Sequence, residues 1–360
     1  MGVEIKLSDK QLPVSPVFID FLHRRIENKP FDVTWHDQLS EEMVSAQGDV
    51  RQVAEAEAGK VLEHPVGQKA IYRSYELLTA ILTGAPDKLR FFHERYRFLC
   101  VVGCPRHGGS YLTKQLFQAL GFDPDNAPNA LAHDGFPDAA PFEFREGANT
   151  QTLMTHNMAE YLAMVELYFA DSRLHDNYVI VPKKATKAAY QGAFFNAMLG
   201  ANAEYIVTLR HPVAACISTY EKSSGLPPDG KFKVRGNIEE WARRDNLFSG
   251  EDAQGIFERD YFDVYLRYWE QYYYNLALTG LAANKNWNVV VYGKERMMQC
   301  AQGFFKRFKH AGTAEEFKVF DKRNRHPDWQ PRGAAAIQRV AAVWRSVGLD
   351  FPVEEVMEGW

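Results

Sequence analysis

Between Gly103 and Ser110 the chain reads Gly-Cys-Pro-Arg-His-Gly-Gly-Ser, between an apolar run at 98–102 and an amphipathic segment at 111–120. Glycines, a fixed positive charge and a hydroxyl at these spacings make a phosphate cradle. They match the pattern G-x-x-x-x-G-K-[ST] at every fixed position except the lysine, where Gly109 stands. In a nucleoside triphosphatase that lysine neutralises the β and γ phosphates while the following hydroxyl holds Mg²⁺. Without it there remain the unpaired N–H groups and partial positive charge of a helix N-terminus, which still favour a phosphate. The loop is therefore expected to bind a phosphorylated ligand without ordinary ATP chemistry. Arg106 supplies a planar fork of donors for phosphate or sulfate oxygens and replaces part of the missing charge.

A second set of groups lies a hundred residues on. The run Tyr205-Ile-Val-Thr-Leu209 reads as a buried strand, Pro212 suits the first turn of a following helix, and Arg210 sits at the junction. Ser218 falls about two turns along that helix, so Arg210 and Ser218 can pinch one phosphate, the one through charge and the other through its hydroxyl. Two phosphate sites on neighbouring strand ends suit a nucleotide phosphorylated at both its 3′ and 5′ positions.

In these stretches the chain resembles the sulfotransferases that use 3′-phosphoadenosine 5′-phosphosulfate (PAPS). Pro105-Arg106-His107-Gly108-Gly109-Ser110 lies over their first motif, Pro-Lys/Arg-Ser-Gly-Thr-Thr, with His107 for Ser and Gly109 for the first Thr. Arg210, Pro212, Ser218 and Tyr220 reproduce the spacing of their 3′-phosphate motif. Tyr178-Val-Ile-Val-Pro-Lys183-Lys184 is similar to the strand that ends in the family's Lys-Thr-His or Lys-Asp-Pro. Trp287-Asn-Val-Val-Val-Tyr292 is similar to its late strand ending in Tyr-Glu-Asp, with Gly293 and Lys294 for the acidic pair. The resemblance spans 98–360 and implies PAPS as co-substrate and 3′,5′-adenosine bisphosphate (PAP) as product. It implies nucleotide contacts from Arg106, His107, Gly108, Gly109, Ser110, Arg210, Ser218 and Tyr292, and adenine stacking on Tyr111.

Sulfuryl transfer to a hydroxyl needs a general base within reach of the acceptor proton. Cytosolic members use the His after Lys-Thr, but Thr186 stands near that position here. Protein-tyrosine and many bacterial members use a Glu in the loop after the first helix, which points to Glu143 in the Pro-rich stretch 121–150, with His133 second. Lys184, beside the sulfate, would stabilise charge on the leaving phosphate. Arg323, Arg325 and Arg332, around His326-Pro-Asp-Trp329, occupy the region where the family places a basic loop. The aromatic run Tyr261–Tyr274 has helical spacing and reads first as core, with acceptor-pocket wall as the other reading.

The elements that must carry these groups follow from periodicity. Strands at about 98–102, 178–182, 205–209 and 288–292 alternate with helices at about 110–120, 187–200, 212–222, 236–247, 260–284, 293–309 and 333–347. Alternation of this kind predicts an α/β fold of the P-loop type, a parallel sheet with helices on both faces and ligands at the carboxyl ends of the strands. Residues 1–97 read as an N-terminal helical extension and 98–360 as the sulfotransferase-like α/β domain. With 360 residues, 46% hydrophobic, and a net charge of −4, the chain can bury a large core and is no polyanion binder, so nucleic acid is not an expected partner. No run approaches the roughly 20 apolar residues of a membrane span, and the polar first residues predict no leader, hence a cytoplasmic protein. Cys100, Cys104, Cys216 and Cys300 form no C-x-x-C pair, and no metal is expected. The acceptor hydroxyl, whether of a small molecule, a glycan, a lipid or a peptide, is not encoded in any motif, and the sequence leaves the oligomeric state open. Two rival functions share these features: a nucleoside or small-molecule kinase, and a non-catalytic nucleotide-binding scaffold.

Overall fold

Strictly alternating burial on both faces marks the central strand of the computed structural model, which describes residues 14–31, 52, 54–134, 136–137, 150–224, 238, 242, 255–319, 322–323 and 325–360. Phe98, Cys100 and Val102 enter one apolar cluster and Leu99 and Val101 another, as a strand with a period of two requires when both of its faces are covered.

In chain order the described elements are α1 (Pro16–Ile26), α2 (Pro65–Leu82), α3 (Pro86–Arg95), β1 (Tyr96–Val102), α4 (Gly109–Ala119), α5 (Asn129–Ala132), α6 (Thr150–Tyr168), β2 (Leu174–His175), β3 (Tyr178–Lys184), α7 (Gly192–Leu199), β4 (Glu204–Leu209), α8 (Pro212–Ser224), α9 (Tyr261–Leu278), β5 (Trp287–Val291), α10 (Lys294–Arg307), α11 (Gln330–Ser346) and α12 (Val353–Glu358). A further helical stretch covers 54–63. Proline at the first helical position begins α1, α2 and α3, where its fixed φ suits a helix and its missing N–H costs nothing. Among the described residues no helix is long and apolar enough to cross a membrane.

The five strands are ordered β2-β3-β1-β4-β5. β1 pairs in parallel with β3, from Tyr96 opposite Val179 to Val101 opposite Lys184, and with β4, from Leu99 opposite Glu204 to Val102 opposite Val207. β4 pairs in parallel with β5. The expected wholly parallel sheet is corrected at one edge. β2 runs antiparallel to β3 through the two-residue turn Asp176-Asn177, so the sheet is mixed. Both turn residues have positive φ, 50° and 71°, the conformation whose twist matches a tight hairpin.

Helices α4 and α10 close one face over Leu99, Val101, Ile180 and Ile206. The other face packs against a larger cluster that includes Tyr161 and Val165 of α6, Tyr205, Trp269 and Tyr273, and continues through Phe92, Leu77 and Ala70 to Leu22 and Phe18 of α1. Helix α6 lies along α2, in a stretch for which the sequence predicts neither helix nor strand. The expected helix at 187–200 is instead a 3₁₀ turn, Thr186–Tyr190, followed by α7. Gly192 marks the break, because a Cβ there would collide with the backbone of Leu281. Helix α9 ends at Leu278 rather than near 284, because Gly280 takes a left-handed φ of 91°.

Candidate functional site

The carboxyl ends of β1, β3 and β4 lie side by side, and the residues that follow them converge. After β1 the chain turns through Gly103–Gly108 into α4. Arg106 has φ 69° and Gly108 has φ 85°, so the turn alternates hand, and the His107 N–H donates back to the Cys104 carbonyl at 3.3 Å. No side chain caps the first turn of α4. Gly108 lies against Phe317, whose Cζ is 3.6 Å from where a Cβ would stand, and against Met297.

After β4 comes Arg210, which is 2% exposed. Its Nη1 donates to the Arg106 carbonyl at 2.9 Å, and its guanidinium lies 3.8 Å over the centre of the Tyr292 ring. Its Nε is buried and, among the described residues, has no hydrogen-bond acceptor. Arg106 in turn donates from Nε to Ser218 Oγ at 3.2 Å. Arg106, Arg210, Ser218 and Tyr292, chosen from three separate stretches of sequence, thus form one constellation.

Lys322 joins them from the segment before α11. Burial and the neighbouring Arg210 and Arg106 guanidiniums push its ammonium down to about 8, and it forms an ion pair with Glu221. Burial and Arg106 likewise hold Arg210 below its ordinary value. Arg325 is the second partner of Glu221. Among the described residues Glu221 pairs with Lys322 and Arg325, whereas Arg106 and Arg210 have no carboxylate partner and Arg210 Nε lacks a hydrogen-bond acceptor. A buried polar group without a hydrogen bond is costly, so such a cluster is built for an anion.

Adjacent lysines at the end of β3 point to opposite faces of the sheet, as the period of a strand dictates. Lys184, 4% exposed, turns toward α4, and its Cε lies 3.7 Å from where a Gly109 Cβ would be. A lysine from a neighbouring strand thus lies beside the position that the loop lysine would fill. Its Nζ is 3.4 Å from Nε2 of His133. Lys183 turns the other way and donates to the carbonyls of Phe136 (2.6 Å), His133 (3.0 Å) and Ala130 (3.2 Å), with its Nζ 4.6 Å from the centre of the Tyr161 ring.

Helix α9 fixes these strand ends in register. Trp269 Nε1 donates to His107 Nε2 at 3.1 Å, Tyr272 donates to the Thr186 carbonyl at 2.7 Å and Tyr273 to the Thr208 carbonyl at 2.7 Å. One turn of one helix therefore holds the residues after β1 and β3 and the last turn of β4. Tyr261, Tyr265, Tyr268 and Tyr272 are all fully buried, in agreement with the core reading.

His107 is a structural member of this set. Because Trp269 donates to Nε2, Nδ1 carries the proton and donates to the Pro105 carbonyl at 2.9 Å. Burial pushes its pKa down to about 3, below the unfolded value, so the unfolded chain takes a proton that the native chain refuses. Stability from His107 is complete above the unfolded value near 6.5 and is lost as the pH falls toward 3. At roughly 1.4 kcal/mol per unit, the loss between pH 7 and pH 5 is about 2 kcal/mol. Burial of Glu160, raised to about 7, works in the opposite sense over the same range, so the comparison must be between proteins. A His107→Gln variant is expected to lose about 2 kcal/mol less than the parent between these pH values. Urea midpoints at both would show it, and equal losses would refute it.

The remaining candidates separate. The Tyr111 hydroxyl donates to the Glu315 carbonyl at 2.7 Å and its ring packs on Phe317 with centroids 4.7 Å apart. Ser110 opens α4, half-buried. Arg332 pairs with Asp263 and lies over Phe262, away from the cluster, and His326 stacks on Trp329. Glu143, the 225–234 loop and nearly all of the 236–247 helix lie outside the described residues. Lys322 and Glu221 were not anticipated. The basic run Asp321-Lys-Arg-Asn-Arg325 is a sequence signal for Lys322, and no pattern marks Glu221. A groove between α9 and α11 is lined by Arg267, Glu270 and Arg339, with Arg339 paired to Glu270 across it, and none of the cluster residues lines it. Comparison with models of known families, with curated proteins and with solved structures returned no match.

Proposed function

We propose that this chain is a sulfotransferase that moves a sulfuryl group from PAPS to an acceptor hydroxyl. The observation that carries the reading is the orphaned, buried Nε of Arg210 inside a cluster with excess positive charge, beside a helix N-terminus reached by a glycine turn. Arg210, Arg106, Ser218 and Lys322 would hold the 3′-phosphate by charge-assisted hydrogen bonds. The first turn of α4 would hold the 5′ side through its N–H groups, Tyr292 supporting Arg210 from beneath.

PAPS, when bound, supplies an activated sulfuryl group whose S–O bond to the 5′-phosphate breaks as a new S–O bond forms to the acceptor. The chain's own part is orientation and charge. Lys184 stands on the α4 side of the sheet, where its ammonium would neutralise charge on the departing phosphate oxygen. The acceptor proton passes to a base, for which Glu143 and His133 are the candidates. His133 lies next to Lys184, whereas Glu143 is outside the described residues. The acceptor class, a small molecule, glycan, lipid or peptide hydroxyl, belongs to the surrounding loops rather than to this core.

Calorimetric titration with PAP in the absence of metal tests the reading against MgATP in parallel. Binding of PAP in the micromolar range, about −8 kcal/mol, is expected. Binding of MgATP in its place would overturn the proposal in favour of a kinase. Binding of PAP with no consumption of PAPS would leave a nucleotide-binding scaffold.

A further inference from the structure

Lys183 and Lys184 are neighbours in sequence and opposites in placement, and His133 joins them: its backbone carbonyl accepts from Lys183, and its ring nitrogen lies 3.4 Å from the Lys184 ammonium. We propose that Lys183 is a positioning residue which, by gathering the carbonyls of Ala130, His133 and Phe136 onto one ammonium, sets the His133 ring and through it aims Lys184 at the transfer site. This rests on the sulfotransferase reading of that site.

An ammonium has three protons, and three of the carbonyls lie within 3.2 Å of Lys183 Nζ. Its hydrogen-bonding capacity is filled by one loop. That loop needs the clamp, because α5 is a single turn, too short to be stable by itself. Its carbonyls converge at the sheet without strand partners, and a neutral residue at 183 would leave them buried and unpaired. The β3 pleat turns Lys183 away from the cradle, and its hydrogen bonds and ring contact all lie on the side of α5 and α6. Its neighbours are the Tyr161 ring, the Cys100 thiol, Asp134 and Lys187. A lysine placed so would be superfluous as a ligand contact. As a clamp it explains why the shorter route, a lysine in the glycine turn itself, is dispensable: Lys184 reaches the same place, provided that something directs it.

Turnover of PAPS to PAP with water as the acceptor gives a readout that needs no knowledge of the natural acceptor. The parent, Lys183→Met, His133→Ala and the double variant form a cycle, with PAP affinity measured calorimetrically for each. Lys183→Met is expected to lower kcat about 100-fold, the scale of a misplacement of about 1 Å, with PAP affinity within about twofold of the parent. Because Lys183 acts through His133, the double variant should be no slower than the slower single variant. Lys183→Gln, which restores neutral donors, should recover part of the rate. Additive losses in the double variant, or a kcat within about threefold of the parent in Lys183→Met, would overturn the proposal. Loss of PAP affinity in Lys183→Met equal to its loss of rate would overturn it too, by showing a general structural role. A parent protein that neither binds PAP nor consumes PAPS would instead overturn the sulfotransferase reading, and this proposal with it.

Discussion

An Arg210→Met protein should fail to bind PAP while its ligand-free form melts no lower than the parent. The two halves have one cause. Arg210 is buried, faces Arg106 and Lys322, and keeps a donor with no acceptor. Replacing a buried, uncompensated charge by an apolar side chain of similar volume relieves desolvation and like-charge repulsion. The lost donor to the Arg106 carbonyl and the lost contact with the Tyr292 ring offset part of that gain. In the bound state the balance reverses. Removing the partner of a buried phosphate costs about 2 to 5 kcal/mol or more, roughly 30-fold to several thousandfold in affinity. Calorimetry and a thermal melt on the same preparation measure both. A fall of more than about 3 kcal/mol in ligand-free stability would show instead that Arg210 serves the fold, as buried ion pairs do when one partner is removed.

A Gly103→Ala substitution should be strongly destabilising. A Cβ at Gly103 would run directly into Thr208 Oγ1 and lie 2.8 Å from the Thr208 carbonyl oxygen, so β1 and β4 would have to separate where the cluster is assembled. Overpacking of this kind costs about 1 to 3 kcal/mol where side chains can yield. Here one colliding group is backbone, and that carbonyl also accepts from Tyr273, so a loss at or beyond the top of this range is expected. Removing the hydroxyl in Thr208→Ala should restore only part of it, because the carbonyl remains. Urea midpoints of the two single variants and the double variant decide. Full rescue by Thr208→Ala would place the whole clash on the side chain.

The sequence showed the site best where strands end. β1, β3 and β4 are legible to within about two residues because both of their faces are buried, and β5, a partly exposed edge strand, is legible from its Val289-Val-Val run. Arg106, Arg210 and Ser218 followed from their offsets to those ends. Helix α6 carries no legible rhythm for a physical reason: Met154, Met158, Tyr161 and Val165 are buried on one side and Ala159, Glu160 and Ala163 on the other, so no solvent-facing polar stripe marks a 3.6-residue period. β2 was missed because two residues show no period, although the turn Asp176-Asn177 beside it carried a hairpin signal. The different duties of Lys183 and Lys184 were implicit in strand alternation. What alternation does not say is which face bears the cradle, and that needs the placement of α4. Lys322 lies more than 100 residues from Arg106 and Arg210 in sequence, and no local pattern links it to them.

The strand at the centre of the sheet is also the first of the five to be made. Tyr96 waits for Val179, about 80 residues later, and Leu99 for Glu204, later still. At ribosomal rates of 5–20 residues per second, β1 spends roughly 4 to 16 s as an apolar segment with both hydrogen-bonding edges open. During that interval the helices that precede it are its available cover. Phe92 of α3 and Leu77 and Ala70 of α2 belong to the same apolar cluster as Phe98 and Cys100. The N-terminal helices thus give the nascent central strand a surface to lie against before its partners exist.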